Sequence, residues 1–193
     1  MVKGRIPLAR QPTSFLPYDP PLTEFGVTQA EQSADFIISL CPPGAPIHIV
    51  SSPFYRTLMT AAALARRVSV PIHIQYGFGE WLYFEDFTES PMDKLQSQLV
   101  DLSRELGVSL VTTPPLAHAS YPESLSTLQN RVRRVHQHYI QQVAEPVVVV
   151  VTHATLVETV SEIWTERNCS FSEDSTAHLV MLYCLREGIR SKY

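Results

Sequence analysis

The chain has 193 residues, of which 45% are hydrophobic, and this length and composition favour one domain with a sizeable core over two. A formal net charge of −4 argues against direct binding of nucleic acid. The longest apolar stretch, Pro146 to Val151, is too short to span a bilayer, and residues 1–10 contain no continuous apolar run. We therefore expect neither membrane insertion nor secretion.

The three cysteines, Cys41, Cys169 and Cys184, are widely separated and form no C-x-x-C pair or Cys/His cluster with metal-ligand spacing. This spacing gives little support to a disulfide framework or to a zinc site. We therefore expect a cytoplasmic or nuclear protein without a bound metal.

The first half of the chain alternates helices with strands. A helix is predicted from Thr28, which forms a Thr-x-x-Glu capping box with Glu31, to the sequence Cys-Pro-Pro-Gly at 41–44. The apolar residues on one face of this helix are Ala30, Ala34, Ile37 and Ile38. The elements predicted next are a buried strand at 47–50, a helix at 55–67 and a β-branched strand at 70–75.

The second half begins with a predicted helix at 91–106 and an irregular proline-rich stretch, and we interpret residues 82–122 as an insertion or lid. A long helix follows from Glu123, with an apolar stripe formed by Leu125, Leu128, Val132, Val135 and Tyr139. The basic run Arg131-Val132-Arg133-Arg134 lies on this helix. We interpret that run as a solvated face and not as a binding patch.

Two further strands complete the predicted sheet. The run from Pro146 to Val151 has the β-branched character of a central strand buried on both faces, and residues 178–185 form a final strand. Strands that alternate with helices predict a single α/β domain over residues 1–193, a three-layer sandwich with a mostly parallel central sheet and helices on both faces.

One segment joins the first strand to an alanine-rich helix and carries an arginine in that helix's first turn. Arg56 follows the carboxyl end of the strand, where parallel α/β folds bind anions. The alternative is a surface arginine on an ordinary helix. The Ser-Ser-Pro sequence before Arg56 and the Thr-x-x-Thr-Ala sequence after it favour a phosphate site.

His153 directly follows the predicted central strand. Side chains in this position project into the crevice beyond the carboxyl edge of the sheet. The alternative is a buried histidine that caps the next helix. Other histidines are weaker candidates, because they lie within strand patterns, on the long helix or in the proline-rich loop.

The segment Ser51 to Ala61 resembles the SSP-x-x-R-x-x-x-TA segment of the histidine phosphatase superfamily, which has a phosphoglycerate-mutase-like fold. Three other segments resemble the family's in the same order: Pro21 to Ala30, Gly79-Glu80-Trp81 and Val151 to Ala154. The closest branch has a Tyr-Asp-Pro-Pro sequence and a Glu-Trp loop. It includes the phosphatase-like subunit of an RNA polymerase III initiation factor and the phosphatase domains of the T-cell ubiquitin-ligand proteins.

The resemblance implies a role for each matching residue. His153 is then the second active-site histidine, which donates hydrogen bonds to phosphoryl oxygens. Glu80 is the proton donor to the leaving group, kept protonated by burial beside Trp81, although an exposed loop glutamate is the alternative. Arg10 and Arg56 bind the phosphoryl oxygens, and two guanidinium groups do so without a metal or cofactor.

The sequence departs from the family at the nucleophile. Members carry Arg-His-Gly after the first strand, whereas this chain has Arg10-Gln11-Pro12 and no histidine before His48. The amide nitrogen of Gln11 is not basic and cannot form a phosphohistidine equivalent. We expect either a degenerate relative or a chain whose start replaces the family's first strand.

Two functions follow from the resemblance. The first is a phosphatase of the histidine type, acting on a phosphorylated small molecule or a phosphoprotein. The second is a non-catalytic pseudophosphatase or scaffold domain that binds a protein partner in a larger complex, such as a transcription initiation factor. A general nucleotide-binding protein is disfavoured, because the chain has neither G-x-G-x-x-G nor a Walker lysine loop.

Overall fold

A computed structural model describes residues 18–83, 88–112, 114–142, 147–165 and 181–183. The helices in these ranges are α1 (Glu24–Leu40), α2 (Tyr55–Val68), α3 (Met92–Leu106), α4 (Leu125–Gln142) and α5 (Ala154–Thr165). The strands are β1 (Ile47–Ser51), β2 (Ile72–Ile74), β3 (Leu110–Thr112), β4 (Val147–Val151) and β5 (Met181–Tyr183). No helix in the described ranges is both long enough and apolar enough to cross a bilayer.

The strands form one sheet in the order β3-β2-β1-β4-β5. All neighbouring pairs are parallel except β4 and β5, which are antiparallel. The two central strands are paired along their whole length, from Ile47 opposite Val147 to Ser51 opposite Val151. The chain passes from β1 to β2 on one side, while β4 lies on the other side of β1. Open α/β sheets bind ligands at the carboxyl ends of strands at such a reversal.

Each face of the sheet has its own hydrophobic core. On one face, α1, α2 and α3 pack against residues that include Ile49, Ile72 and Val149. On the other face, α4 and α5 pack against Val50 and Val150. This arrangement confirms the three-layer α/β sandwich with a mostly parallel central sheet. The valine run is buried throughout β4, as expected of a strand covered on both sides.

The first helix begins earlier than the sequence pattern predicts. α1 starts at Glu24, and its N-cap is Thr23, whose Oγ1 accepts a hydrogen bond from the Gly26 amide at 3.0 Å. The predicted capping box of Thr28 and Glu31 is therefore wrong. Thr28 lies inside the helix, where its hydroxyl donates to the carbonyl of Glu24.

The segment predicted as an insertion or lid contains elements of the main body. Leu95 and Leu99 of α3 lie in the core on the α2 face of the sheet. The unpredicted strand β3 pairs with β2 and extends the sheet at that edge. Closure of any part of residues 82–122 over the site stays a prediction.

Candidate functional site

The candidate site lies at the carboxyl ends of the two central strands. After β1 the chain turns through Ser52 and enters α2, which carries Arg56 in its first turn. After β4 the chain continues through Thr152 to His153, directly before α5. Because β1 and β4 pair up to their last residues, both segments emerge at the same edge of the sheet.

Three predicted site residues meet around one carboxylate oxygen. Nη2 of Arg56 lies 3.0 Å from Oε2 of Glu80, and Nδ1 of His153 lies 3.0 Å from the same oxygen. Nη2 of Arg56 and Nδ1 of His153 are also 3.0 Å apart. The structure thus brings together residues from α2, from the loop after β2 and from the end of β4. Arg10 and Gln11 lie outside the described residues, and their roles stay predictions.

Asp19, which sequence reasoning did not identify, holds the other side of the Arg56 guanidinium. Its Oδ1 lies 3.0 Å from Nη1 of Arg56, and its Oδ2 accepts a 2.6 Å hydrogen bond from the Tyr55 amide. Phe54 at the N-cap of α2 offers no capping side chain, so Asp19 caps this helix from a distance. In the sequence, the lack of a capping side chain at Phe54 was the one sign that a distant residue caps this helix.

Two residues of the turn after β1 fix the imidazole. Oγ of Ser52 lies 2.8 Å from Nε2 of His153, and the Phe54 ring meets the imidazole edge to face at 4.9 Å. The same phenyl ring lies 4.6 Å from the guanidinium carbon of Arg56. Because Ser52 holds Nε2, it is Nδ1 that faces Arg56 and Glu80. These residues belong to the Ser-Ser-Pro-Phe sequence that signalled the site.

The charges of the site are set by burial and by mutual contact. Burial favours a neutral Glu80, but contacts with His153, Arg56 and the Trp81 amide together outweigh burial and lower the pKa of Glu80. Burial also lowers the pKa of His153, against the opposing effect of Glu80, so the imidazole is uncharged at neutral pH. Among the contacts that lower the pKa of Glu80, those with His153 are the largest, and the charge of the Arg56 guanidinium follows.

The contacts of Glu80 favour its ionised form and oppose the protonation expected of a proton donor, and that role stays a prediction. Its carboxylate lies against the Arg56 guanidinium, and Trp81 contributes a backbone hydrogen bond of 3.0 Å to Oε1. In the neutral imidazole, Nδ1–H donates to Glu80 while Nε2 accepts from the Ser52 hydroxyl. The site is therefore a set of donors that already hold an oxyanion.

A buried arginine behind the site corrects another prediction. Arg131 was interpreted as part of a solvated face, but its side chain is 2% exposed and its Nη2 lies 2.6 Å from Oε2 of Glu123. Arg133 and Arg134 are exposed, as predicted. Within the described ranges, no group of three or more His, Cys, Asp or Glu side chains is arranged to hold a metal ion.

The residues that follow the two central strands thus meet at one edge of a three-layer α/β sandwich. The family model of the histidine phosphatase superfamily, branch 1, matches residues 14–187, and the chain belongs to this superfamily. The resemblance in the sequence is thereby confirmed.

Similar proteins include a subunit of a yeast transcription factor. The transcription factor tau 55 kDa subunit of Saccharomyces cerevisiae is 37% identical over 70 residues, which are 36% of this chain and 16% of that subunit. The matched region is thus a small part of the relative's length.

Two solved structures share the fold. The ecdysone phosphate phosphatase of Bombyx mori, in complex with tungstate, is 18% identical with a TM-score of 0.55, over 95% of this chain and 75% of that one. The native mycobacterial glucosyl-3-phosphoglycerate phosphatase is 22% identical with a TM-score of 0.51, over 77% and 71%. These likenesses confirm the predicted phosphoglycerate-mutase-like fold.

Proposed function

We propose that this chain binds the phosphoryl group of a phosphomonoester between Arg56 and His153. The observation that carries the proposal is the carboxylate oxygen of Glu80, which lies 3.0 Å from both side chains. This oxygen stands in for an anionic phosphoryl oxygen. Guanidinium and imidazole donors that converge on one oxyanion are the arrangement that phosphate recognition requires.

We further propose that the chain binds the phosphoryl group but does not hydrolyse it, because it forms no phosphohistidine intermediate. Covalent catalysis of that kind needs a basic nitrogen to attack phosphorus, and the sequence carries Gln11 where the family has its histidine. Membership of the superfamily supports phosphoryl binding, whereas Gln11 argues against the covalent step. The ligand class is a phosphorylated small molecule or a phosphoprotein.

Glu80 makes anion binding dependent on pH. Two unit charges 4 Å apart interact by about 4 kcal/mol at an effective dielectric constant of 20, so a phosphoryl dianion and an ionised Glu80 repel each other strongly. Binding must therefore protonate Glu80 or displace its side chain. A lower pH favours protonation of Glu80 and also of the neutral His153 beside it, so the affinity for a dianion should rise as the pH falls from 8 towards 5.5.

Calorimetric titration with sulfate tests the proposal, because sulfate keeps its double negative charge over this pH range. We expect Arg56→Gln to weaken binding at least about tenfold through loss of a charged hydrogen-bond donor. Arg66→Gln is the matched control, since Arg66 is also on α2 but its side chain is 44% exposed. Equal sulfate affinity in Arg56→Gln and the native chain would refute the proposed site.

In the same titration, Glu80→Gln should strengthen sulfate binding, whereas Arg56→Gln should weaken it. Removing the carboxylate charge should tighten sulfate binding at pH 7.5 by about tenfold or more and reduce its pH dependence to the part that His153 contributes. Weaker binding in this variant would mean that Glu80 is not the group that competes with the anion.

Hydrolysis of p-nitrophenyl phosphate separates binding from turnover. The native chain should bind phosphate and release no p-nitrophenol, while a Gln11→His, Pro12→Gly double variant should gain activity if the rest of the site is intact. Hydrolysis by the native chain that disappears in Arg56→Gln would contradict the non-catalytic assignment.

A second candidate function is that of a scaffold domain in a transcription-factor complex. The 37% identity to the tau 55 kDa subunit over 70 residues supports it, and a nuclear location would follow. The test is whether a tagged chain co-purifies with other subunits of such a factor from nuclei of its own cells. A scaffold role predicts that Arg56→Gln co-purifies equally well, whereas recognition of a phosphorylated partner predicts its loss.

A further inference from the structure

A second buried ion pair lies directly behind the loop that carries Glu80. Nε of Arg131 donates to Oε1 of Glu123 at 2.8 Å, and Nη2 of Arg131 donates to Oε2 at 2.6 Å. Arg131 is 2% exposed at its side chain and Glu123 is 0% exposed. Removing two charges from water is unfavourable, so such a pair is weak evidence of a contribution to stability alone.

The remaining donors of Arg131 are directed at the backbone of the Glu80 loop. Nη1 donates to the carbonyls of Gly77 at 2.8 Å and Gly79 at 2.9 Å, and Nη2 makes a longer contact of 3.4 Å with the carbonyl of Glu80. A guanidinium has five N–H donors in a planar fork, and each one here has an acceptor. A lysine ammonium in the same place could not satisfy this set.

Other contacts leave the loop little freedom. Oγ1 of Thr152, the residue before His153, donates to the carbonyl of Phe78 at 2.7 Å. Nε1 of Trp81 donates to the carbonyl of Glu123 at 2.8 Å. A Cβ atom on Gly77 would lie 2.2 Å from Cγ2 of Val135, so the loop approaches α4 as closely as a glycine permits. The carbonyls of residues 77–80 all accept side-chain hydrogen bonds.

We propose that Arg131 is a positioning residue, which holds the backbone of residues 77–80 so that the Glu80 carboxylate meets Arg56 and His153. Arg131 donates no hydrogen bond to the Glu80 carboxylate, to Arg56 or to His153, and it holds the loop through its backbone carbonyls. Its charge also contributes to lowering the pKa of the buried His153. The inference rests on the proposed function and deepens it, because it identifies Arg131 on α4 as the residue that places the Glu80 carboxylate in the proposed anion site.

The test measures the titration of Glu80 by carbon NMR, with the Glu80→Gln variant identifying the signal. In Arg131→Lys the charge stays but the fork is lost, so the carboxylate should leave Arg56 and its pKa should rise towards the ordinary value of about 4.3. Arg134→Lys is the matched control, since Arg134 is exposed on the same helix, and it should leave the titration unchanged.

A second variant covers the case in which Arg131→Lys does not fold. Buried ion pairs replaced on both sides by apolar residues of similar volume are often as stable as the original. The double variant Arg131→Met, Glu123→Leu should therefore fold, yet it lacks every donor to the loop, and the pKa of Glu80 should rise in it as well. Native titration of Glu80 in either folded variant would overturn the positioning role, and reduced stability alone would mark Arg131 as merely structural.

The titration needs no ligand, so the two proposals can fail separately. If the native chain does not bind sulfate but the Arg131 variants shift the titration of Glu80, phosphoryl binding fails and the positioning role stands. If sulfate binds with a pH-dependent affinity and the variants leave Glu80 unmoved, the positioning role fails alone. If both hold, Arg131→Lys should also flatten the pH dependence of sulfate affinity.

Discussion

Protonation of one buried histidine should make the stability of this fold depend on pH. His136 lies on α4 and is 6% exposed, and burial lowers its pKa from 6.5 to about 4. In the unfolded chain the same side chain titrates near its ordinary value of about 6.5. Between these two values the unfolded state binds a proton that the folded state does not.

The sign and size of the effect follow from this difference. A group whose pKa is lowered by folding contributes its full stability above its unfolded pKa and loses it as the pH falls towards the folded pKa. For values of 6.5 and about 4, the free energy of unfolding at pH 5 should be about 2 kcal/mol below that at pH 8. That amount is a large part of the stability of a typical domain.

Urea unfolding at pH 8, 6 and 5 measures this loss in the native chain and in His136→Leu. We expect the variant to lose less stability on acidification, and the difference between the two chains isolates His136 from other groups that titrate in this range. Val135→Ala is a control for lost packing, because it removes a buried neighbour and should lower stability equally at each pH. A pH dependence in His136→Leu that equals that of the native chain would refute the reasoning.

Two further substitutions test the packing that supports the site. Ser52→Ala leaves Nε2 of the buried His153 without the 2.8 Å partner and should cost about 1–3 kcal/mol in urea unfolding, whereas the exposed Ser39→Ala should change stability by less than about 0.5 kcal/mol. Gly77→Ala forces a Cβ to within 2.2 Å of Val135 and should cost about 1–3 kcal/mol, and Val135→Ala in the same chain should relieve part of that loss. Additive effects of the Gly77 and Val135 changes would contradict the clash.

The elements that the sequence predicted well are those that carry a long local pattern. The valine run of β4 matches the structure, because burial on both faces leaves a repeating signature. The apolar stripe of α4 matches at Leu128, Val132, Val135 and Tyr139, whereas Leu125 at the start of the helix is 49% exposed. β3 has three residues, none of them fully buried, so it has no pattern to detect. Its place in the sheet depends on pairing with β2, more than 30 residues away.

Side chains that follow strands were predictable, and side chains that meet them from elsewhere were not. Arg56 and His153 each follow a central strand, so the topology of a parallel sheet brings them to one edge. Asp19 reaches Arg56 from the segment before α1, and Arg131 reaches the Glu80 loop from α4. These contacts span 37 and 52 positions in the chain, where no periodicity links the partners. The run of three arginines at 131–134 is typical of a solvated face, and the sequence gives no sign that one of them, Arg131, pairs with the buried Glu123.

The charges of the described site explain why binding of an anion requires more positive charge than that of Arg56 alone. With a neutral His153, the guanidinium faces two carboxyl groups, Asp19 and Glu80, at 3.0 Å each. Burial raises the pKa of Asp19 against the effect of the Tyr55 amide and of Arg56, and it opposes ionisation of Glu80 as well. With both carboxyl groups ionised, one guanidinium is set against two negative charges and a dianion is repelled. Uptake of one proton at a carboxyl group, or one further guanidinium, would cancel that excess of negative charge. The sequence predicts Arg10 as that further guanidinium. The predicted rise of affinity at low pH would compensate the same negative charge by proton uptake.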